Sequence, residues 1–339
     1  MTWRKHHLVL WSLVGLALVV LAAAPFVGME TIWPESLWSD PAGPEAAIFW
    51  KIRLPRVLAA FVAGAVLAVG GAALQAVFRN PLAEPFTLGV SSGAALGAAL
   101  AMYLTLPPAM MLRLLGVRWN IPTLPWCALA GALAAIGLVY GLTRLRSGFS
   151  STALLLAGVA VSFFFSSMVL FLQYVSDPTR TFHMIRWVMG GLDRIVGYED
   201  VLAMAPFALA GMLIIFLRRH ELDLLLTGED LAIARGVEVV QVKRLLFVAA
   251  SVLVAGVVAI CGPIGFVGLI CPHICRLLVG PRHGRLLAAS VCFGGLFLVL
   301  ADTLARTLLA PTELPVGILT ALSGGPFFLW LLLRSKQPL

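Results

Sequence analysis

Val57-Leu58-Ala59-Ala60-Phe61-Val62-Ala63-Gly64-Ala65-Val66-Leu67-Ala68-Val69-Gly70-Gly71-Ala72-Ala73-Leu74-Gln75-Ala76-Val77 holds 21 residues without a charge, and Arg79, Asn80 and Pro81 follow it almost at once. A helix rises 1.5 Å per residue, so a run of this length reaches across a hydrocarbon core about 30 Å thick. Inside lipid the backbone has to satisfy its own hydrogen bonds, which a helix does and an isolated strand cannot. The stretch therefore reads as a transmembrane helix. Runs of the same kind occupy 8 to 27, 123 to 143, 152 to 174, 201 to 217, 245 to 261 and 286 to 305.

Composition agrees. Of the 339 residues 60% are hydrophobic and 12% charged, with a mean hydropathy of +0.99, which excludes an ordinary soluble domain. The 32 Gly and 20 Pro are tolerated in membrane helices, where Gly permits close backbone approach and neighbours satisfy freed carbonyls. Five cysteines, an odd number within or beside apolar runs, argue against a disulfide framework. Arg4 and Lys5 before an apolar run ending in Ala22-Ala23-Ala24 imitate a secretory signal. Because further spans follow at once, an uncleaved first helix is expected.

With the weaker runs included, ten spans are predicted, at about 8 to 27, 57 to 77, 87 to 106, 122 to 143, 152 to 174, 199 to 217, 242 to 261, 264 to 279, 286 to 306 and 316 to 334. The expected fold class is an all-α polytopic membrane protein with about ten transmembrane helices and cytoplasmic N- and C-termini. That orientation places fifteen of the 24 basic residues inside, among them Arg4, Arg146, Arg334 and Lys336. The inside is then positive by nine and the outside negative by one, as the positive-inside rule requires. The net charge of +8 thus reflects topology and contact with anionic lipid headgroups. Nothing interleaves bases with aromatics in the manner of a nucleic-acid surface. The gaps 28 to 50, 107 to 121, 175 to 198 and 218 to 241 are too short for a soluble domain, so residues 1–339 are expected to form one membrane domain.

Several segments point to function. Gly89, Gly93, Gly97 and Ala101 recur every fourth residue in the third span, a smooth face for helix contact, expected to pack internally. The 218 to 241 stretch is polar yet holds Leu222, Leu224, Leu225, Leu226, Leu231 and Ile233. The stretch is expected to fold as short helices; Thr227 and Asp230 resemble a capping box and Gly236 stands where a C′ glycine ends a helix, which fits a short capped helix across the cytoplasmic face. Gly228, Ala232 and Gly236 at fourfold spacing admit a protein partner, whereas an amphipathic interfacial helix is the plainer reading. Outside, Lys51, Arg53 and Arg56 cluster before the second span, and Arg306 follows Asp302 by four residues. These bases suit either interface anchoring or docking of an acidic partner. In the fifth span Ser162, Ser166, Ser167, Gln173 and Tyr174 lie among Phe163, Phe164, Phe165 and Phe171. The hydroxyls either bond back to helix carbonyls or line a pathway for a large amphipathic solute.

Other classes are weaker. Cys271, His273 and Cys275 look like soft ligands, but residues two apart on a helix point away from each other and structural zinc wants four ligands. No metal or cofactor is expected. The sequence lacks a Gly-rich P-loop with its Lys-Ser/Thr ending, so the chain is not expected to hydrolyse ATP. Asp302 sits near a span end and pairs with Arg306, which leaves ion-coupled secondary transport as an alternative without a clear mid-span acid. A membrane enzyme, scaffold or sensor finds still less support.

Four stretches carry a resemblance: Arg53-Leu54-Pro55-Arg56; Gln75-Ala76-Val77-Phe78-Arg79-Asn80-Pro81-Leu82-Ala83-Glu84-Pro85 running into Leu88-Gly89-Val90-Ser91-Ser92-Gly93; Gly262-Pro263-Ile264-Gly265-Phe266-Val267-Gly268-Leu269 with Pro272, His273 and Arg276; and Glu313-Leu314-Pro315-Val316-Gly317. In order and spacing the chain resembles the ten-helix, FecCD-type permease subunits of vitamin B12, haem and iron-siderophore ATP-binding-cassette (ABC) importers. The resemblance implies a homodimer in the bacterial inner membrane, two cytoplasmic ATP-binding subunits and a substrate-binding protein docked outside. It implies ATPase coupling through Leu222, Leu226, Gly228, Ala232 and Gly236, docking on Arg53, Arg56 and Arg306, and a path along Ser162, Ser166 and Gln173. The implied cargo is a chelated-metal compound, a ferric siderophore first, then haem, then cobalamin.

Overall fold

The computed structural model describes residues 2–114, 117–147 and 151–334, with side chains throughout except at 2–4, 87, 109–114, 117–121, 145–147, 151, 331, 332 and 334. Lys336 and the side chains of Arg4, Arg146 and Arg334, which the charge count placed inside, lie outside the described residues.

In chain order the helices are α1 (Thr2–Ala23), two short ones, α2 (Pro34–Ser39) and α3 (Pro44–Ile48), then α4 (Leu54–Phe78), α5 (Val90–Tyr103), α6 (Thr123–Ser147), α7 (Ser151–Val175), α8 (Pro178–Val188), α9 (Glu199–Leu217), α10 (Arg219–Thr227), α11 (Glu229–Ala234), α12 (Val239–Cys261), α13 (Val267–Val279), α14 (His283–Thr307) and α15 (Val316–Arg334). Seven are long and apolar enough to cross a membrane, and shorter apolar helices cover Val90–Tyr103, Val267–Val279 and Val316–Trp330. Each of the ten expected spans has its helix. The chain is a multi-pass, helical membrane protein.

α4 is the central helix. Pro55 in its first turn is preset for helical φ and loses no needed donor. At the other end Arg79 turns left-handed (φ 49°) and the Asn80 N–H donates to the Gln75 carbonyl at 3.1 Å, closing the helix before Pro81. From Arg56 to Phe78 almost every residue is buried, because Gly and Ala let three neighbours approach to backbone contact. A Cβ on Gly64 would stand 2.1 Å from the Gly294 carbonyl oxygen of α14, and one on Gly71 1.9 Å from that of Gly268 in α13. Without a hydrophobic driving force between helices in lipid, such contact is what binds them. The expected internal role of the glycine stripe on α5 is seen in the same terms. Added Cβ atoms on Gly93 and Gly97 would lie 2.4 and 2.0 Å from the carbonyl oxygens of Gly131 and Cys127 in α6.

Three details differ from the sequence expectation. Residues 107 to 121 hold an antiparallel pair, β1 (Ala109–Leu114) and β2 (Val117–Pro122), with Ala109 opposite Pro122 and Leu114 opposite Val117. The 175 to 198 gap contains α8, started by Pro178 and capped by the Asp177 carboxylate, which accepts from the Arg180 N–H at 3.0 Å. α13 begins at Val267 rather than 264, because Gly262 (φ 73°) and Phe266 (φ 66°) put a left-handed bend on either side of Pro263 to Gly265.

Candidate functional site

At the end of the bundle where α4 begins and α14 finishes, the arginines singled out in the sequence meet. Arg56 is buried, and its guanidinium faces two carboxylates. Nε and Nη2 reach Asp302 at 3.0 to 3.2 Å, and Nη1 reaches Glu313 Oε2 at 2.8 Å. Arg306, also buried, sets its Nε 3.1 Å from Asp302 Oδ2 and donates from Nη2 to Thr303 Oγ1. The expected Asp302 and Arg306 pair is therefore present, and Asp302 serves two cations at once. Arg53 instead donates to the backbone carbonyls of Pro25, Phe26 and Glu30, and no carboxylate lies within salt-bridge distance of it among the described residues. Arg53, Arg56, Arg306, Glu30 and Glu313 line a cavity of about 620 Å³ with Gly28 and Pro311. Sequence reasoning missed the tie from Arg56 to Asp302 and Glu313, since 246 and 257 residues separate the partners and only the i, i+4 relation of Asp302 to Arg306 is visible locally.

The opposite end carries the 218 to 241 segment. Here the short helices expected are α10 and α11, separated at Gly228. The Thr227 hydroxyl donates back to the Leu224 carbonyl at 2.8 Å, so it caps nothing. Gly228 occupies the N-cap of α11 at φ 124° and ψ 149°, a region that only glycine visits cheaply. Gly236 does end α11. At φ 81° it donates to Ile233, while the Val237 N–H donates to Ala232, the paired bonds of a Schellman turn. Of the five candidate coupling residues, Leu222 and Ala232 are buried within the chain, Leu226 is exposed, and Gly228 and Gly236 stand beside open space. The apolar side chains that α11 offers outward are Leu231 and Ile233, 54% and 59% exposed. Two ties hold the pair in place. Lys243 is paired with Glu229 of α11, and the Asp223 carboxylate of α10 accepts from the His283 backbone N–H with the His283 ring 2.7 Å away. Burial alone would lift the Asp223 carboxyl. The His283 ring and N–H, with the nearby charges of His283 and His220, outweigh it and hold the group below the usual carboxylate range.

On α7 the packed stripe is Leu154, Val161, Phe165, Val169 and Leu172. Ser162 and Gln173 flank it half-buried and Ser166 is exposed on the same side. The Ser162 hydroxyl has no hydrogen-bond partner among the described residues, whereas Ser167 bonds back to the Phe163 carbonyl at 2.9 Å. Elsewhere an open, mainly apolar cavity of about 870 Å³ lies between α15, the end of α8 and two bends, and its wall includes Glu84, Phe86, Met189, Phe266, Ile318 and Leu322. None of the three α7 candidates lines it. Glu84 sits in the connection between α4 and α5, 7% exposed, and accepts a hydrogen bond from the Phe266 N–H. Burial pushes its carboxyl up to about 7, against the Phe266 N–H, which favours the charged form. Sequence reasoning gave Glu84 no role, because a turn-like Asn80-Pro81 gives no sign that the following segment folds back onto the 262–266 bend.

A model of the family described as the FecCD transport family matches residues 15–334. The hemin transport system permease protein HmuU of Yersinia pestis is 37% identical over 338 residues, which are 98% of this chain and 97% of that protein. The cobalamin import system permease protein BtuC of Halobacterium salinarum is 44% identical, covering 93% of this chain and 83% of its own. The iron(3+)-hydroxamate import system permease protein FhuG of Bacillus subtilis is 33% identical over 95% and 93%. Among solved structures, a metal-chelate type ABC transporter in an inward-facing conformation superposes with a TM-score of 0.82 at 32% identity, covering 97% of this chain and 99% of that one. PsaBC from Streptococcus pneumoniae shares the fold, with a TM-score of 0.55 at 18% identity, covering 82% of this chain and 90% of its own. The chain belongs to the FecCD transport family.

Proposed function

We propose that this chain is the membrane-spanning permease of an ABC importer for chelated-metal compounds, working as a homodimer in a bacterial inner membrane with both termini inside. The observation that supports it most is the agreement in fold and sequence with a metal-chelate ABC transporter over nearly the whole chain. The two ends of the bundle divide the labour. Arg53, Arg56 and Arg306 form the outer face, where a substrate-binding protein presents carboxylates. The α10 and α11 pair within the 218 to 241 loop seats in a cytoplasmic ATP-binding subunit, and residues 1–339 act as one permease domain. Cargo passes along the dimer axis, beside the Ser162, Ser166 and Gln173 side of α7 and the cavity at Glu84 and α15. Ferric siderophores are the first cargo to try, haem and cobalamin the next. The chain itself performs no chemistry.

Asp302 argues against the ion-coupled alternative, because a carboxylate held by two arginines is not available to bind and release a coupling ion. The test is hydrolysis by the permease and its ATPase assembled in nanodiscs. Addition of the cargo-loaded binding protein should raise the ATPase rate severalfold. A rate that ignores the binding protein at saturating concentration would oppose the assignment.

A further inference from the structure

Arg56 differs from the two arginines beside it. Arg53 spends its donors on neutral carbonyls, with the Glu30 and Glu45 charges near it but not bonded to it, and the Arg306 bonds to Asp302 and Thr303 run through Nε and Nη2. The Arg56 fork is full, with one edge on Asp302 and the remaining nitrogen on Glu313. Its two partners are not equivalent. The Asp302 side chain is 1% exposed and bridges two buried cations, whereas the Glu313 side chain is 24% exposed and holds Arg56 through one nitrogen. Breaking the first contact would strand buried charge, which is costly. Releasing the second returns a carboxylate to water at the wall of a cavity with room for another side chain.

Glu313 is also joined to the distant cavity. Leu314 N–H donates to the Ala305 carbonyl at 3.1 Å, and α15 begins two residues later. Gly317 in its first turn donates to the Gly190 carbonyl, and a Cβ there would lie 2.1 Å from the Met189 carbonyl oxygen. Gly317 and Ile318 line the same wall as Met189, Phe266 and Glu84. Four residues thus separate the carboxylate on Arg56 from backbone that shapes the cavity.

The geometry points to an exchange: a carboxylate of the docked binding protein replaces Glu313 on Arg56, and the released 308 to 315 loop frees the start of α15 to move against Met189 and Gly190. Asp302 is the fixed member that keeps both arginines aimed, and Glu313 is a positioning residue that reports docking to the path. This rests on the docking reading of the outer arginines. It gives that surface a consequence inside the membrane, which complementarity alone does not.

The experiment uses the permease and ATPase in nanodiscs with the cargo-free binding protein encoded beside them, fluorescently labelled, as the probe. Glu313→Gln removes the internal competitor. Because a partly exposed ion pair is weak, affinity should rise roughly three- to tenfold, and hydrogen exchange of the amides at 308 to 318, which docking raises in the native protein, should already be high without the probe. Glu313→Asp should fall between. Asp302→Asn should act oppositely, lowering the yield of folded permease. Arg56→Gln separates the two readings. Unchanged probe affinity in that variant would defeat the docking of a carboxylate on Arg56. Weaker binding in Arg56→Gln together with unchanged or weaker binding in Glu313→Gln would overturn the exchange while leaving docking in place. Should Glu313→Gln fold poorly, exchange at 308 to 318 in the native complex decides, since an unchanged rate on docking contradicts the release.

Discussion

Arg53, Arg56 and Arg306 show how similar residues acquire different roles from their partners. Arg53 donates to three backbone carbonyls and has Glu30 and Glu45 near it, so Arg53→Gln, with folded yield measured in parallel, should weaken capture of the binding protein. Arg56 and Arg306 each hold Asp302, so reversal there also places like charges together, and Arg→Gln with a parallel measure of folded yield is the cleaner probe. A loss of about tenfold is expected where the docked pair is desolvated, shrinking in high salt, as exposed pairs are damped within about 8 Å at physiological ionic strength. Equal affinity in all three variants would return these residues to plain interface anchors. Glu84 illustrates the opposite case, an acid whose burial disfavours its charge despite the hydrogen bond from the Phe266 N–H. With its carboxyl raised to about 7, the folded protein holds this proton more tightly than the unfolded chain. Its contribution to stability is therefore full below about pH 4.5, falls as pH rises towards 7 and stays low above it. Glu84→Gln should raise the thermal midpoint over the native protein at pH 8 and match it near pH 4.5. A gap of the same size at both pH values would contradict burial as the cause.

At the level of elements, the sequence spoke most clearly where its signals were local. Periodic apolar runs located the long helices, and Gly236 marked the end of α11 because a left-handed C′ residue is nearly a glycine property. Thr227 misled, since a hydroxyl beside a helix end can bond forward as a cap or backward to a carbonyl and only the chain path at Gly228 decides. The difference changes which substitutions test coupling. Ala232 is fully buried, so Ala232→Trp would disrupt the helix pair itself, and Gly228→Leu would strain a backbone at φ 124°. Leu231→Asp and Ile233→Asp alter only exposed side chains. Each should abolish uptake and lower affinity for the ATPase severalfold or more while leaving membrane insertion and thermal midpoint within measurement error. Full ATP-driven uptake in both would remove α11 from the coupling surface. The tie from Asp223 to His283 adds a pH signature. A carboxyl held below its usual range stabilises above the unfolded value of about 3.9 and ceases to do so as pH falls through its folded one, so α10 should loosen only in acid.

Across the whole molecule, the class of fold and the division into two charged ends were legible because bilayer length and charge asymmetry act on long stretches of chain. What held the ends together was not. The contacts of Arg56 with Asp302 and Glu313, of Gln75 with Gly268 and Arg276, and of Glu84 with Phe266 join segments about 180 to 260 residues apart, and no local pattern encodes them. The cavity beside α15 was hidden for the same reason, since its wall is assembled from four separate stretches. Vectorial, ATP-driven movement of a metal chelate is the activity proposed for this chain and its partners. The direct measurement is uptake into proteoliposomes holding the permease and its ATPase, with binding protein outside and ATP inside, offered a ferric siderophore, haem and cobalamin in turn. Accumulation of one of them that requires ATP hydrolysis and binding protein and persists when an ionophore collapses the ion gradients is the predicted result. Uptake that proceeds without the ATPase and vanishes with the ionophore would contradict it.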